Sequence, residues 1–249
     1  VLTGVHIGDY EDSETGHKLV LEDLLETLLL KTQMPRLRLS SLEPIELTDR
    51  LLDLYSDERI CPHFHMSIQS ANTKVLSDMK RKYTAQDVEQ ALNSIYKKLK
   101  NPFVGMDVIA GFPGETEEEF LDTYNRLKNT PWTRIHVFPY SERPGTKALK
   151  IEPKVPQHII HMRASRLREL SQERYQMQAL EQIGTTKKVL VLKKPARGAQ
   201  GLSRDYWPVD FISDLKDFEK FAGKEISVQI TGFDQSNTSR MDGYLTGSI

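Results

Sequence analysis

The chain has 249 residues, a formal charge of −1, and 38% hydrophobic and 28% charged residues. That balance describes a folded globular protein and excludes a low-complexity or disordered one; no apolar run approaches the roughly 20 residues a membrane span needs. A single cysteine, Cys61, excludes an internal disulfide and suits a reducing, cytoplasmic setting. The near-zero charge hides an imbalance. Between Lys154 and Arg204, eleven lysines and arginines face three acids, so a basic segment follows an acidic body, which points to a polyanionic partner.

Val1–Ile7 reads as a strand, and because the chain opens inside this apolar run it is read as part of a longer protein. Leu19–Lys31 carries leucines at three- and four-residue spacing and predicts a helix. Arg36–Leu42 alternates as a strand, Asp49–Tyr55 is a short helix, and His63–Gln69 alternates again. Ala85–Leu99 predicts a helix, Val104–Ala110 a strand, Glu117–Lys128 a helix and Arg134–Pro139 a strand. This alternation predicts parallel strands joined by helical crossovers. Pro144, Pro153 and Pro156 then mark a linker, and Ile159–Ile183 reads as one long basic helix. The signals after it are β: Lys188–Leu192, Tyr206–Phe211, Ile226–Thr231 and Tyr244–Leu245. A boundary near Gly184 divides the chain into an α/β domain, residues 1–183, and a small all-β barrel, residues 184–249.

The stretch GMDVIAGFPGETEEEF carries a glycine-rich turn between a strand and a helix. Such a turn usually suggests a phosphate cradle. Here Glu117, Glu118 and Glu119 would repel phosphate, while the positive helix end favours each by about 0.3–1 kcal/mol. Thr116 and Glu119 have capping-box spacing, and no Lys-Ser/Thr of a Walker loop follows. The turn therefore suits a flat neutral or cationic ligand such as an adenine ring, its edge met by backbone groups and its face by Phe112 or Ile109. A tight turn with no ligand is the alternative. Polar residues also end or interrupt the strands: Thr3 and Gly4, Ser40 and Ser41, Ser67 and Gln69, Asp107, then Arg143. In parallel sheets ligands sit at such carboxyl ends. Cys61, His63 and His65 lack partners at metal-site spacing, so no metal site is expected.

VLTGVHIGDY, RLRLSSLEP, HFHMSIQSANTKVLSDMKRKYT, GMDVIAGFPGET and VFPYSERPGTKA resemble, in order, segments of the radical S-adenosylmethionine (SAM) methylthiotransferases, with the threonylcarbamoyladenosine branch favoured. The tail KKVLVL, AGKEISVQITG and MDGYL resembles the RNA-binding TRAM barrel that ends such enzymes. The resemblance covers nearly the whole chain. It implies a partial parallel barrel, here without its first strand, that holds SAM over an iron–sulfur cluster and inserts a methylthio group into a hypermodified adenosine beside the anticodon. It places Gly111, Phe112, Gly114 and Glu115 by the adenine, Thr3 and Gly4 by the methionine amine, and Ser67, Gln69, Arg81 and Asp107 on the ribose and carboxylate; Arg143 would meet the substrate. Implied partners are the tRNA anticodon stem-loop, a reductant and a sulfur donor. RNA contacts are expected from Arg163, Arg166, Lys187, Lys188, Lys193, Lys194 and Arg197, with Tyr206 and Trp207 offering stacking faces.

Three departures matter. The Cys-x3-Cys-x2-Cys motif that ligates the family's 4Fe–4S cluster is absent, so this chain alone is expected to be inactive and carries no catalytic residue of its own. His6 stands where the family has Asn, and Ala71 where it has Gly. A ribosomal-protein aspartate methylthiotransferase and a cluster-free RNA-binding protein are the alternative readings.

Overall fold

The computed structural model describes residues 1–4, 6–12, 18–193, 199–212, 221–235 and 243–249. Its first part is built on four parallel strands in the order β1 (Ser41–Leu42), β2 (His63–Gln69), β3 (Phe103–Ala110) and β4 (Arg134–Pro139). The crossovers run through α1 (Leu21–Lys31), α2 (Asp49–Leu54), α3 (Thr73–Asp78), α4 (Ala85–Lys98) and α5 (Glu117–Asn129), and α6 (Gln157–Leu180) follows β4.

Alternation along β2 decides what each face does. Phe64, Met66 and Ile68 are at most 1% exposed and belong to the main core. His63, His65, Ser67 and Gln69 point the other way, as strand periodicity requires. Val104, Met106 and Val108 repeat the pattern on β3, fully buried. The α4 helix covers this core with Val88, Ala91, Leu92 and Ile95, the spacing of one helical stripe. It starts on a capping box between Thr84 and Asp87, and α5 starts on the expected one between Thr116 and Glu119. On the β4 side, Ser171 of α6 both accepts from the Ile135 N–H at 2.8 Å and donates to its carbonyl at 3.1 Å, occupying backbone groups a strand edge would otherwise leave open.

Two expectations are corrected. Val1–Ile7 is not a continuous strand among the described residues: it pairs by one parallel bridge, Leu2 to Leu39, and Ile7–Asp9 forms a 3-10 turn. Arg36–Leu42 is regular only at Ser41–Leu42, with a second isolated bridge from Leu37 to Ile60. Apolar content was sufficient in both stretches; a continuous ladder of partners was not.

The remainder is a closed barrel of five strands, β5 (Thr186–Lys193), β6 (Ala199–Ser203), β7 (Pro208–Ile212), β8 (Glu225–Asp234) and β9 (Tyr244–Ser248), ordered β5-β6-β7-β9-β8. Its core of Val189, Val191, Trp207, Val209, Phe211, Val228, Ile230 and Leu245 is continuous with Phe103 at the start of β3 and Tyr175 of α6. Tyr206 packs on His63, at the start of β2, with centroids 4.7 Å apart. Arg36 donates to the Leu202 and Ser203 carbonyls and pairs with Glu225 at 2.8 Å, and Arg204 pairs with Glu225 from the barrel side. The barrel therefore docks at the amino ends of the parallel strands, leaving their carboxyl ends free for a site.

Candidate functional site

The GFPG turn is held from inside the protein. Gly111 has φ +78°, and a Cβ there would lie 2.5 Å from Cγ1 of Ile160 on α6. Its N–H donates to Glu115 Oε2 at 2.9 Å, and the Gly114 N–H donates to the Pro153 carbonyl at 2.9 Å. Glu115 in turn meets Arg163 Nη1 at 2.9 Å, the two side chains being 2% and 4% exposed. Burial pushes the Glu115 carboxyl above its ordinary range, opposed by the Arg163 charge and the Gly111 N–H. The Gly111 and Gly114 N–H groups and the Glu115 carboxylate are therefore engaged within the protein, and the first glycine makes room for a helix. The neighbouring glutamates are also engaged. Glu117 pairs with Arg163 and Arg166, and Glu119 closes the cap and meets Lys74 at 3.2 Å.

A cleft of about 340 Å³ opens at the carboxyl ends of β2, β3 and β4. Gln69 and Asp107 supply its polar floor, Ile109, Phe112 and Phe138 its apolar walls, and Arg143 and Thr146 its far side. Gln69 closes β2 with φ +61°, after a shift in register against β3. Asp107 is steadied by His65, whose Nε2 lies 3.0 Å from Oδ2. The Tyr140 hydroxyl lies buried at the wall with no hydrogen-bond partner among the described residues. A second cleft of about 450 Å³ adjoins the first across Ile109, Phe112, Thr146 and Ala148, and includes Arg81.

The structure thus gathers Gln69, Asp107, Phe112 and Arg143 around one space, with Arg81 beside it. The Arg81 guanidinium is ion-paired with Glu43. Asp107 meets His65, and Arg81 meets Glu43. Thr3 and Gly4 are exposed and line neither cleft, nor does Ser67, whose carbonyl accepts from the Tyr83 hydroxyl. Sequence reasoning missed His65, Phe138 and Tyr140. Strand alternation placed His65 on the Gln69 face and could have flagged it; nothing local marked the other two.

The model of the radical SAM superfamily matches residues 1–127, half of the chain. This chain belongs to the radical SAM superfamily. Its relatives include the threonylcarbamoyladenosine tRNA methylthiotransferases of Treponema pallidum, 40% identical over 70% of this chain and 36% of that protein, and of Aquifex aeolicus, 41% identical over 71% and 42%. The tRNA-2-methylthio-N(6)-dimethylallyladenosine synthase of Bdellovibrio bacteriovorus is 32% identical over 92% of this chain and 50% of its own length. The resemblance to the methylthiotransferases is thereby shown, with the threonylcarbamoyl branch well represented. The chain spans half or less of the length of these relatives. Coproporphyrinogen III oxidase from Escherichia coli, a radical SAM enzyme of known structure, overlaps 82% of this chain and 54% of its own with a TM-score of 0.48 at 17% identity, too loose a likeness to build on.

In this radical SAM chain several side chains of the basic segment are engaged within the fold. Arg163, expected on phosphate, is buried against Glu115 and Glu117. Arg166 lies over Phe120 and Tyr124 and pairs with Glu117 at 3.3 Å. Arg174 donates to the Thr130 and Lys128 carbonyls and covers Trp132 at 4.4 Å. Lys187 is ion-paired with Asp205, its side chain 10% exposed. Lys188 is exposed and reaches Ser227. Trp207 is 2% exposed in the barrel core, and Tyr206 is packed between barrel and body beside His63 and Arg38; the stacking expectation is corrected for Trp207, which has no open face. The Lys193 side chain, Lys194 and Arg197 lie outside the described residues.

Cys61 is 1% exposed and burial pushes its thiol up, the opposite of a ligating thiolate. One such cysteine does not fit an iron–sulfur cluster. His63 accepts from Arg38 Nε through Nδ1 at 3.1 Å, and burial holds its imidazole well below the usual range.

Proposed function

We propose that this chain is part of a tRNA methylthiotransferase acting on threonylcarbamoyladenosine beside the anticodon, and that the cleft at the carboxyl ends of β2–β4 seats SAM. The observation that carries the reading is the convergence of Gln69, Asp107 and Phe112 on one cleft, in a chain whose relatives bear that name. A volume of about 340 Å³ lies within the span of small-molecule sites.

Bound there, SAM would supply the adenosyl and methyl groups of the family's chemistry. Phe112, Ile109 and Phe138 offer flat apolar contact to a purine, and excluding water strengthens any polar contact beneath it. The Gln69 amide can both donate and accept at a ribose, and the Asp107 carboxylate accepts from hydroxyls. His65 fixes Asp107 in place through its Nε2. Arg143, exposed at the mouth, presents a fork suited to a carboxylate such as that of a threonylcarbamoyl group. The chain's single cysteine supplies no cluster, so cluster ligands would have to come from outside these 249 residues. TRAM-like RNA binding by the barrel, a cytoplasmic setting and dependence on a reductant belong to the same proposal.

Titration calorimetry tests the seat. The chain should bind SAM, and Asp107→Asn and Phe112→Ala should each weaken binding about tenfold without lowering the melting temperature in step. No binding, or equal affinity in both variants, would defeat the seat. Mass spectrometry of tRNA nucleosides from a strain lacking the full-length gene tests the reaction: the methylthio form of threonylcarbamoyladenosine should vanish and its precursor accumulate. Loss of methylthiolation from a ribosomal protein instead would move the assignment to the other branch.

A further inference from the structure

The seam between the barrel and the parallel sheet holds an aromatic and cationic cluster that lies at the opposite end of the strands from the cleft. We propose that this seam is acid-responsive: a proton taken up by His63 loosens the barrel from the sheet and uncovers Cys61. Nothing in it depends on a ligand in the cleft.

His63 opens β2 and is 7% exposed. Its ring packs against Phe103, the first residue of β3, at 5.3 Å between centroids and against Tyr206 of the barrel at 4.7 Å. Arg38 belongs to the same cluster. Its Nε donates to His63 Nδ1 at 3.1 Å, and its guanidinium carbon lies 4.5 Å from the centre of the Tyr206 ring. Because Nδ1 accepts, the docked imidazole is neutral and carries its proton on Nε2. A second proton would land on Nδ1, turn that acceptor into a donor and set two cations against each other.

The surroundings do not offset such a charge. The charged groups bearing on His63 are Arg38, His65 on the same face of β2 and His136 on β4, each cationic when charged. Asp107 of β3 is committed to His65, and Glu225 of β8 to Arg36 and Arg204. Burial pushes the Tyr206 phenol up, so it stays neutral. Burial, with the Arg38 charge, holds the His63 imidazole well below its usual range, and solvent at a loosened seam would restore it.

Two features make this seam the place to give way. Tyr206 holds φ +68°, uncommon for a bulky residue, so the turn that presents it carries strain. The clamp beside it is polar: Arg204 meets Glu225 and donates to the Glu58 carbonyl of the body. Cys61, 1% exposed, lies by this clamp, and the charges of Arg36, Arg204 and Glu225 act on its thiol. Loosening takes Arg204 and Glu225 away from it, so the chain's single cysteine reports on the seam.

The test uses the whole 249-residue chain. A dipyridyl disulfide, which labels thiols in mild acid, is followed by absorbance, and each rate is divided by that of the urea-unfolded chain at the same pH. With His63 free to protonate near its ordinary value of about 6.5 only when the seam is loose, the corrected rate should rise about tenfold between pH 7.5 and 5.5. Far-UV circular dichroism should stay native across that range. His63→Gln, whose amide oxygen still accepts from Arg38, should hold the rate flat. Arg38→Met should raise the rate at pH 7.5 and shrink its dependence on pH, which keeps the test alive if His63→Gln does not fold. A corrected rate indifferent to pH in the wild type would overturn the proposal. So would an equal rise in His63→Gln, or a rise that appears only as the circular dichroism is lost.

Discussion

Replacing Arg163 by Met isolates the strut beneath the GFPG turn. Arg163 is 4% exposed and makes contacts of 2.9 and 3.0 Å to Glu115 and 3.1 Å to Glu117. Met keeps an aliphatic stem but removes the guanidinium, which lies 5.2 Å from the Phe120 ring centroid, and strands the Glu115 carboxylate, which is 2% exposed. Removing one partner of such a pair costs about 3–5 kcal/mol. Adding Glu115→Gln should recover part of that loss, because a neutral amide still accepts from the Gly111 N–H without a buried charge. The pH dependence has a fixed sign. Burial already raises the Glu115 carboxyl, and without Arg163 it rises further. A raised carboxyl stabilises the fold below its unfolded value and loses that contribution as pH climbs through the folded one. The Arg163→Met deficit should therefore shrink as pH falls from 8 towards 5. Urea unfolding followed by the fluorescence of buried Trp132 and Trp207 measures all of this. A cost under about 1 kcal/mol for the single variant, or a double variant that loses the sum of both singles, would refute the reasoning.

Gly111→Ala should cost about 1–2 kcal/mol for the left-handed backbone and a further 1–3 kcal/mol or so for overlap with Ile160, whereas Gly145→Ala, with φ +82° but nothing within 4 Å, should lose only the first part; equal losses in urea unfolding would show that Ile160 yields freely. His63 is buried and its imidazole resists protonation, so stability should be full above about pH 6.5 and decline below it by up to ~1.4 kcal/mol per unit; His63→Gln, which can still accept from Arg38, should flatten that slope, and an unchanged slope would assign it to other groups. Arg168 is exposed on α6, so Arg168→Ala should weaken tRNA binding and reduce the salt slope by about one. Arg174→Ala should instead lower the melting temperature and leave the salt slope alone; the reverse pattern would overturn this division between the two arginines.

Much of the α/β part was legible because its signals are local. The α4 and α5 stripes, their capping boxes and the β2 and β3 alternation all stand within one window of sequence. The β6 strand was not, because it reads AQGLS: Gly201 sits where a Cβ would come within 2.3 Å of Val189, so close packing between strands erased the β-branched signature. The cleft floor at Gln69 and Asp107 was visible as polar residues interrupting apolar strands. The basic segment misled for the opposite reason. Charge can be counted in sequence, but its partners cannot, and Glu115 and Glu117 lie far from Arg163 along the chain. Gly111 misled similarly, since the body that approaches it is Ile160.

The docking of the barrel has a geometric consequence for any nucleic acid. Arg36, Arg204 and Tyr206 fasten it where β2 and β3 begin, while the cleft lies where they end. Eight residues of β3 separate the two, about 26 Å at the rise of a strand. On the proposed reading, a lone nucleoside would not bridge that distance, whereas a folded stem carrying its target base in a loop would.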